Sequence, residues 1–277
     1  MRKYGVIPSP PDERDFKLHT VGITKLEQFP NEYTVPGMPG EILDQGESSQ
    51  CVAHALRTIK EWFDSQNGVQ KQLSNNFIYG AREPGMYQGE GMIPREALKE
   101  VQDRGVCEYN LFPNPPLTYP QCAQAITQQM LDNAKPDNIL TYVSLNSVEE
   151  IKTALMQLGP VFVAVPVYNY FEFPINGKID NQPNQNIDAY LLGYHQIVFY
   201  GWLNNYWKIQ NSWGKYWGIN GTALLDMKYP IQEAWSITAL LNPPKPQPKA
   251  IQYEIYFDDI NKAKNVANLF KGNIKIN

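Results

Sequence analysis

The chain has 277 residues, 43% hydrophobic and 19% charged, with a net charge of −4. This balance fits a soluble globular protein, and the lack of a long basic run argues against nucleic acid as a partner. No apolar stretch reaches the roughly 18–20 residues that span a bilayer, so no membrane span is expected. Met1–Pro10 lacks the apolar core of a signal peptide, which favours a cytoplasmic or virion-associated protein over export by the usual route.

Three cysteines (Cys51, Cys107, Cys122) and three histidines (His19, His54, His195) are present. An odd, sparse set of cysteines is no disulfide framework. No two of these residues have zinc-ligand spacing, and no glycine-rich loop opens a helix in phosphate-binding style, so neither metal nor cofactor is expected.

In chain order, residues 1–40 are proline-rich and weakly periodic, which predicts an extended arm lying on the body. The segment Asp44-Gln45-Gly46-Glu47-Ser48-Ser49-Gln50 is a polar turn, and an apolar, helix-favouring run starts at Cys51. A thiol in the first turn of a helix meets unpaired N–H groups and the positive end of the dipole, both of which favour the thiolate. Ser74 can cap a helix through Tyr79. Ile93–Val101 reads as a helix, with Pro94 at its start and Gly105 after its end. Val148–Met156 is amphipathic and stops at Gly159-Pro160.

Beyond that stop the pattern turns to strands: Val161–Val165, Gln196–Tyr200, Tyr206–Gln210 and Thr222–Asp226. A helical half followed by a strand-rich half predicts an α+β protein with lobes at about 41–140 and 141–242. Residues 243–250 form a proline-rich linker. The tail at 251–277 reads as strand, helix, strand, too small for its own core, and so expected to dock on a protein partner.

Three downstream features complete the thiol. Gln45 precedes Cys51 by six positions, His195 follows it by 144, and Asn211 follows His195 by sixteen, within Asn-Ser-Trp-Gly. Trp217-Gly218-Ile219-Asn220-Gly221, Leu73–Tyr79 and Gly159-Pro160-Val161 add further matches. Over about residues 40–241 the chain resembles the papain-like cysteine peptidases, whose histidine lies about 130–150 positions after the nucleophile. Gly105–Pro113 is similar to the bacterial and phage-type branch. The resemblance implies two lobes, helical and antiparallel β-barrel-like, with the active site in the cleft between them. It implies Cys51 as nucleophile, His195 as base, Asn211 as its orienting partner and Gln45 as oxyanion donor. Trp213 would shield the Asn–His pair, and Gly89, Glu90, Gly91 and Tyr194 would line the substrate cleft, with Glu90 favouring basic or polar side chains.

The chain also departs from the family. Gln50 and Val52 flank the nucleophile where serine and tryptophan are usual, so Gln50 is expected to add bulk near the thiol and a groove wall is lost. Ser48 stands where many members carry a disulfide cysteine. Cys107, Cys122 and His54 read as core filling, and His19 as solvated. The long inhibitory pro-segment of many members is not expected here, and Gly5–Phe16, similar to a segment of bacterial and phage-type relatives, is expected to pack along the body without plugging the site. The leading expectation is a thiol endopeptidase acting on peptides or proteins. The alternatives are a catalytically quiet module for binding or assembly, and a phage or cell-surface hydrolase of cell-wall peptides.

Overall fold

A computed structural model describes residues 2–13, 15–83, 89–139, 141–181 and 189–238. The chain divides into two compact units, Met1–Pro244 and Lys245–Asn277. All described residues belong to the first, so the expected strand–helix–strand tail lies outside them.

The first half is helical. Helix α1 spans Cys51–Gln66, α2 Asn75–Gly80, α3 Pro94–Arg104, α4 Tyr119–Ala125 and α5 Gln128–Ala134. Every residue of α1 from Cys51 to Lys60 is buried, which makes it the central rod of this half. Two cations fall on that buried stretch, and each is paired. Arg57 meets Glu41 and Glu61, while Lys60 meets Asp64 and Asp137. Pairing is what makes burial of such charges tolerable.

The second half is a sheet with one covering helix, α6 at Val148–Gln157. Its strands are β1 (Glu32–Thr34), β2 (Thr141–Ser144), β3 (Val161–Tyr168), β4 (Lys178–Ile179), β5 (Leu191–Leu203), β6 (Tyr206–Gln210), β7 (Thr222–Asp226) and β8 (Glu233–Thr238). The order is β2-β8-β3-β5-β6-β7-β4, with β1 also on β5. All pairings are antiparallel except β4 with β7. The α+β class therefore holds, but the barrel-like expectation is corrected: the sheet is open, with β2 and β4 at its ends.

Strand β5 is the hinge of the design. It is hydrogen-bonded to β3 along its first part and to β6 and β1 along its second, and α1 packs against it. Its predicted core, Gln196–Tyr200, extends at both ends because these neighbours supply ladder partners that local sequence does not reveal. The arm is more structured than expected. It contributes β1, and Phe16 and Lys17 bond to Ser144 of β2. Leu18 and Ile23 join the core.

The helix starts follow ordinary capping chemistry. Ser74 Oγ accepts the Phe77 N–H at 2.9 Å, and Ser147 Oγ accepts that of Glu150 at 3.1 Å. Pro94 opens α3, and Gly105, at φ 82°, closes it where a side chain would overlap the Ala134 carbonyl. The Ser74→Ala variant should lose about 1 kcal/mol of stability, seen as a lower denaturation midpoint at unchanged m-value. An unchanged midpoint would show that this cap carries no weight.

Candidate active site

Cys51 is the first residue of α1, and His195 lies on β5, which packs against that helix. The contact brings the thiol to the strand: the backbone N–H groups of Gln196, the residue after His195, and of Gly5 and Val52 favour the anionic form of Cys51. Both Cys51 and His195 are wholly buried.

Asn211 follows β6 directly. Its Oδ1 accepts the Ser212 N–H at 2.7 Å, which identifies that atom as the amide oxygen. The same oxygen lies 2.7 Å from His195 Nε2, so Nε2 must carry the hydrogen. The bare lone pair is then on Nδ1, which is buried and has no hydrogen-bond partner among the described residues. Trp213 stacks on the imidazole with ring centroids 4.5 Å apart and is itself packed edge-on against Phe171 and Trp217.

Gln45 is buried beside this group. Its N–H bonds the Ser212 carbonyl at 2.9 Å, and Ser212 Oγ donates to Gln45 Oε1 at 2.7 Å. With the amide oxygen so held, Nε2 donates to the Ser48 carbonyl at 2.7 Å and to the Lys3 carbonyl at 3.2 Å. Gln45, Cys51, His195, Asn211 and Trp213 are thus brought together. Ser212, which ties Asn211 to Gln45, was missed by the sequence reading, although it sits inside the Asn-Ser-Trp-Gly motif.

The cleft residues divide. The carbonyls of Gly89–Gly91 are all held from one side. Arg82 donates to the carbonyls of Gly89 and Gly91, and the Tyr79 hydroxyl to that of Glu90 at 2.7 Å. Tyr194 offers its carbonyl from the opposite side.

Two expectations are corrected here. Gln50 does not crowd the thiol. Its side chain turns into the helical half, donating to the Leu117 carbonyl at 2.8 Å and accepting from Asn75 Nδ2 at 2.6 Å. The start of the arm does not simply lie on the body. Residues Arg2–Ile7 cross the thiol, with Val6 N–H on the Tyr194 carbonyl, and Met92 bonded on either side by Gly5 and Ile7.

Burial decides the charge state. Desolvation pushes the Cys51 thiol up to about 11, although four backbone N–H groups pull the other way. Desolvation likewise lowers His195 to about 4 against the favourable Asn211 contact. The expected thiolate is therefore absent in this covered state. A helix terminus offers at most about 2 kcal/mol, less than the several kcal/mol of burying an ion. Cys107 and Cys122 are also buried and pushed up to about 12, as core thiols are.

A thiol, an imidazole base and amide donors, set where a helix meets a sheet, define a cysteine peptidase. The chain belongs to the papain family of cysteine proteases, whose family model matches residues 37–236. It is 25% identical over 268 residues to an uncharacterized peptidase C1-like protein of Acanthamoeba polyphaga mimivirus, covering 84% of each chain. Cathepsin J of Mus musculus is 36% identical over 94 residues, which is 30% of this chain and 27% of the cathepsin. Among solved structures, the fold is similar to xylellain, a cysteine protease from Xylella fastidiosa. That match has a TM-score of 0.73 and 22% identity, covering 86% of this chain and 96% of the other. Among the described residues no helix is long and apolar enough to cross a membrane.

His54, buried in α1, is lowered to about 3 by desolvation and then by Arg57 and His195. Both buried histidines are neutral when folded and take up protons when unfolded. Their stabilising share is present above about pH 6.5 and is lost as pH falls through their folded values. The unfolding free energy should therefore drop by about 1.4 kcal/mol per pH unit for each histidine below about pH 6.5. Denaturant titrations from pH 7 to 4 should show this slope, and His54→Phe should make it shallower. Equal slopes in both proteins would remove His54 from the account.

Proposed function

We propose that the protein is a thiol endopeptidase in which Cys51 attacks the peptide carbonyl carbon. His195 Nδ1 takes the thiol proton and delivers it to the departing amine, leaving a thioester on Cys51. A water molecule, deprotonated by the same nitrogen, then releases the acid and restores the thiol. Asn211 holds the imidazole with Nδ1 bare, and Trp213 covers the ring. Gln45 Nε2 and the Cys51 N–H donate to the oxyanion. The observation that carries this reading is the double use of Asn211 Oδ1 by Ser212 and His195, since it leaves Nδ1 as the base.

The substrate is a peptide or protein lying between the Gly89–Gly91 wall and Tyr194. Glu90 supports a preference for basic side chains, because it already holds Lys3 Nζ at 2.8 Å. Placement in the bacterial and phage-type branch rests on the Gly105–Pro113 segment and on likeness to the viral and Xylella proteins.

Long incubation with a peptidyl electrophile should label Cys51, and His195→Ala should abolish the labelling. Labelling that survives this change, or falls on another cysteine, would overturn the assignment. Gln45→Ala should lower kcat by about 10²–10³-fold with little change in KM, measured on a peptide cut by wild type and not by Cys51→Ala. An unchanged kcat would remove Gln45 from the oxyanion site.

A further inference from the structure

We propose that the polar cavity beside Asn211 holds one internal water, which joins Gln196, Arg57 and His54 to the Asn211 amide and so steadies the His195 imidazole. The proposal rests on the reading of Asn211 as the group that orients His195 for peptide hydrolysis.

The cavity lies between α1 and the strands β5 and β6. His54 and Arg57 border it from the helix, Gln196 from β5, and Asn211 from the position just after β6. Its free space of about 10 Å³ is close to what the centre of a single water needs.

The polar atoms around this space distinguish it from an ordinary packing gap. Gln196, Asn211 and Arg57 are only 1%, 3% and 1% exposed. Neither atom of the Gln196 amide has a hydrogen-bond partner among the described residues, and the same holds for Asn211 Nδ2 and Arg57 Nε. The remaining atoms of Asn211 and Arg57 are engaged. Asn211 Oδ1 serves Ser212 and His195, and the terminal nitrogens of Arg57 meet Glu41 and Glu61. Buried polar atoms are nearly always bonded, so four such atoms around one small space point to a shared partner.

Water suits this set better than an ion does. Asn211 Nδ2, Arg57 Nε and Gln196 Nε2 donate, while Gln196 Oε1 accepts. His54 adds a bare ring nitrogen, because burial and then Arg57 and His195 lower it to about 3 and keep it neutral. A water accepts two hydrogen bonds and donates two, so it serves both kinds of atom at once. Chloride would leave Gln196 Oε1 and the bare His54 nitrogen without a hydrogen. A cation would face the donors of Arg57 and Asn211.

The consequence reaches the base. The protein holds the Asn211 amide by its oxygen, and a water accepting from Nδ2 holds the other end. Oδ1 is then kept in line with the His195 Nε2 hydrogen. Gln196 and His54 act through this water, which makes them positioning residues. One adjoins His195 in the chain, and the other lies three residues past Cys51.

The test is a crystal structure of the full chain at a resolution that shows ordered water, with peptide hydrolysis and proton NMR of the His195 ring in parallel. Wild type should show one peak in the cavity, within about 3 Å of the Gln196 and Asn211 amides. Gln196→Leu, similar in size but without polar atoms, should lose it. The His195 Nε2 hydrogen should then exchange at least about tenfold faster, and kcat should fall about ten- to a hundredfold at unchanged KM. Should that variant fail to fold, His54→Phe gives the same readings at smaller size, and the wild-type map decides the occupant by itself. A wild-type cavity without a peak, or one holding chloride seen by its anomalous scattering, would overturn the proposal. So would unchanged exchange and kcat in a folded Gln196→Leu protein that has lost the water. Water in place without hydrolysis by wild type keeps the site and sinks the peptidase reading. Hydrolysis by wild type over a cavity without water does the reverse.

Discussion

The arrangement depends on the pair of hydrogen bonds between Gln45 and Ser212. One segment precedes α1 and the other follows β6, so these bonds tie the helical half to the sheet at the point where the thiol must meet the imidazole. They are buried, and a buried amide left without partners would cost about 1–3 kcal/mol, so the register of the two segments is strongly selected. The consequences spread outward. Asn211, next to Ser212, presents its oxygen to His195. Gln45, anchored by its own oxygen, can only point its N–H₂ toward the cleft. The same lock therefore orients the His195 imidazole and the Gln45 amide together.

Desolvation is the opposing force in this site. The first turn of α1 supplies N–H groups that suit an anion, yet Cys51 is held as a thiol because no water reaches it. The helix terminus provides the capacity for a thiolate, and access to solvent governs its use.

The elements with strong local signals were legible. Ser74, Pro94 and Gly105 mark helix ends by chemistry that acts within one turn, and β6 and β7 begin and end where the alternation does. The missing elements have long-range causes. Strands β2 and β8 are short and held mainly by each other and by β3. Helices α4 and α5 span seven residues each and bury little of their own surface. Gln50 was misjudged because its neighbours in sequence say nothing of Asn75 and Leu117, which draw its amide away from the thiol. Of the site, the five residues in family motifs were readable, whereas Ser212's double role depends on contacts across the fold.

By itself the sequence determined the chemistry: a thiol at a helix start, a histidine on a later strand, an asparagine just after another strand, and a glutamine in the preceding turn. Residue type and spacing suffice for that, because reactivity and hydrogen-bonding capacity belong to the side chains. Only the tertiary structure decided the state in which this chemistry is held. Whether Cys51 meets water or Gly5 is set by where residues Arg2–Ile7 come to rest. Nothing local in that segment reveals that its backbone fits the cleft, because the fit is made by Gly91, Gly193 and Ser49 on the walls it meets.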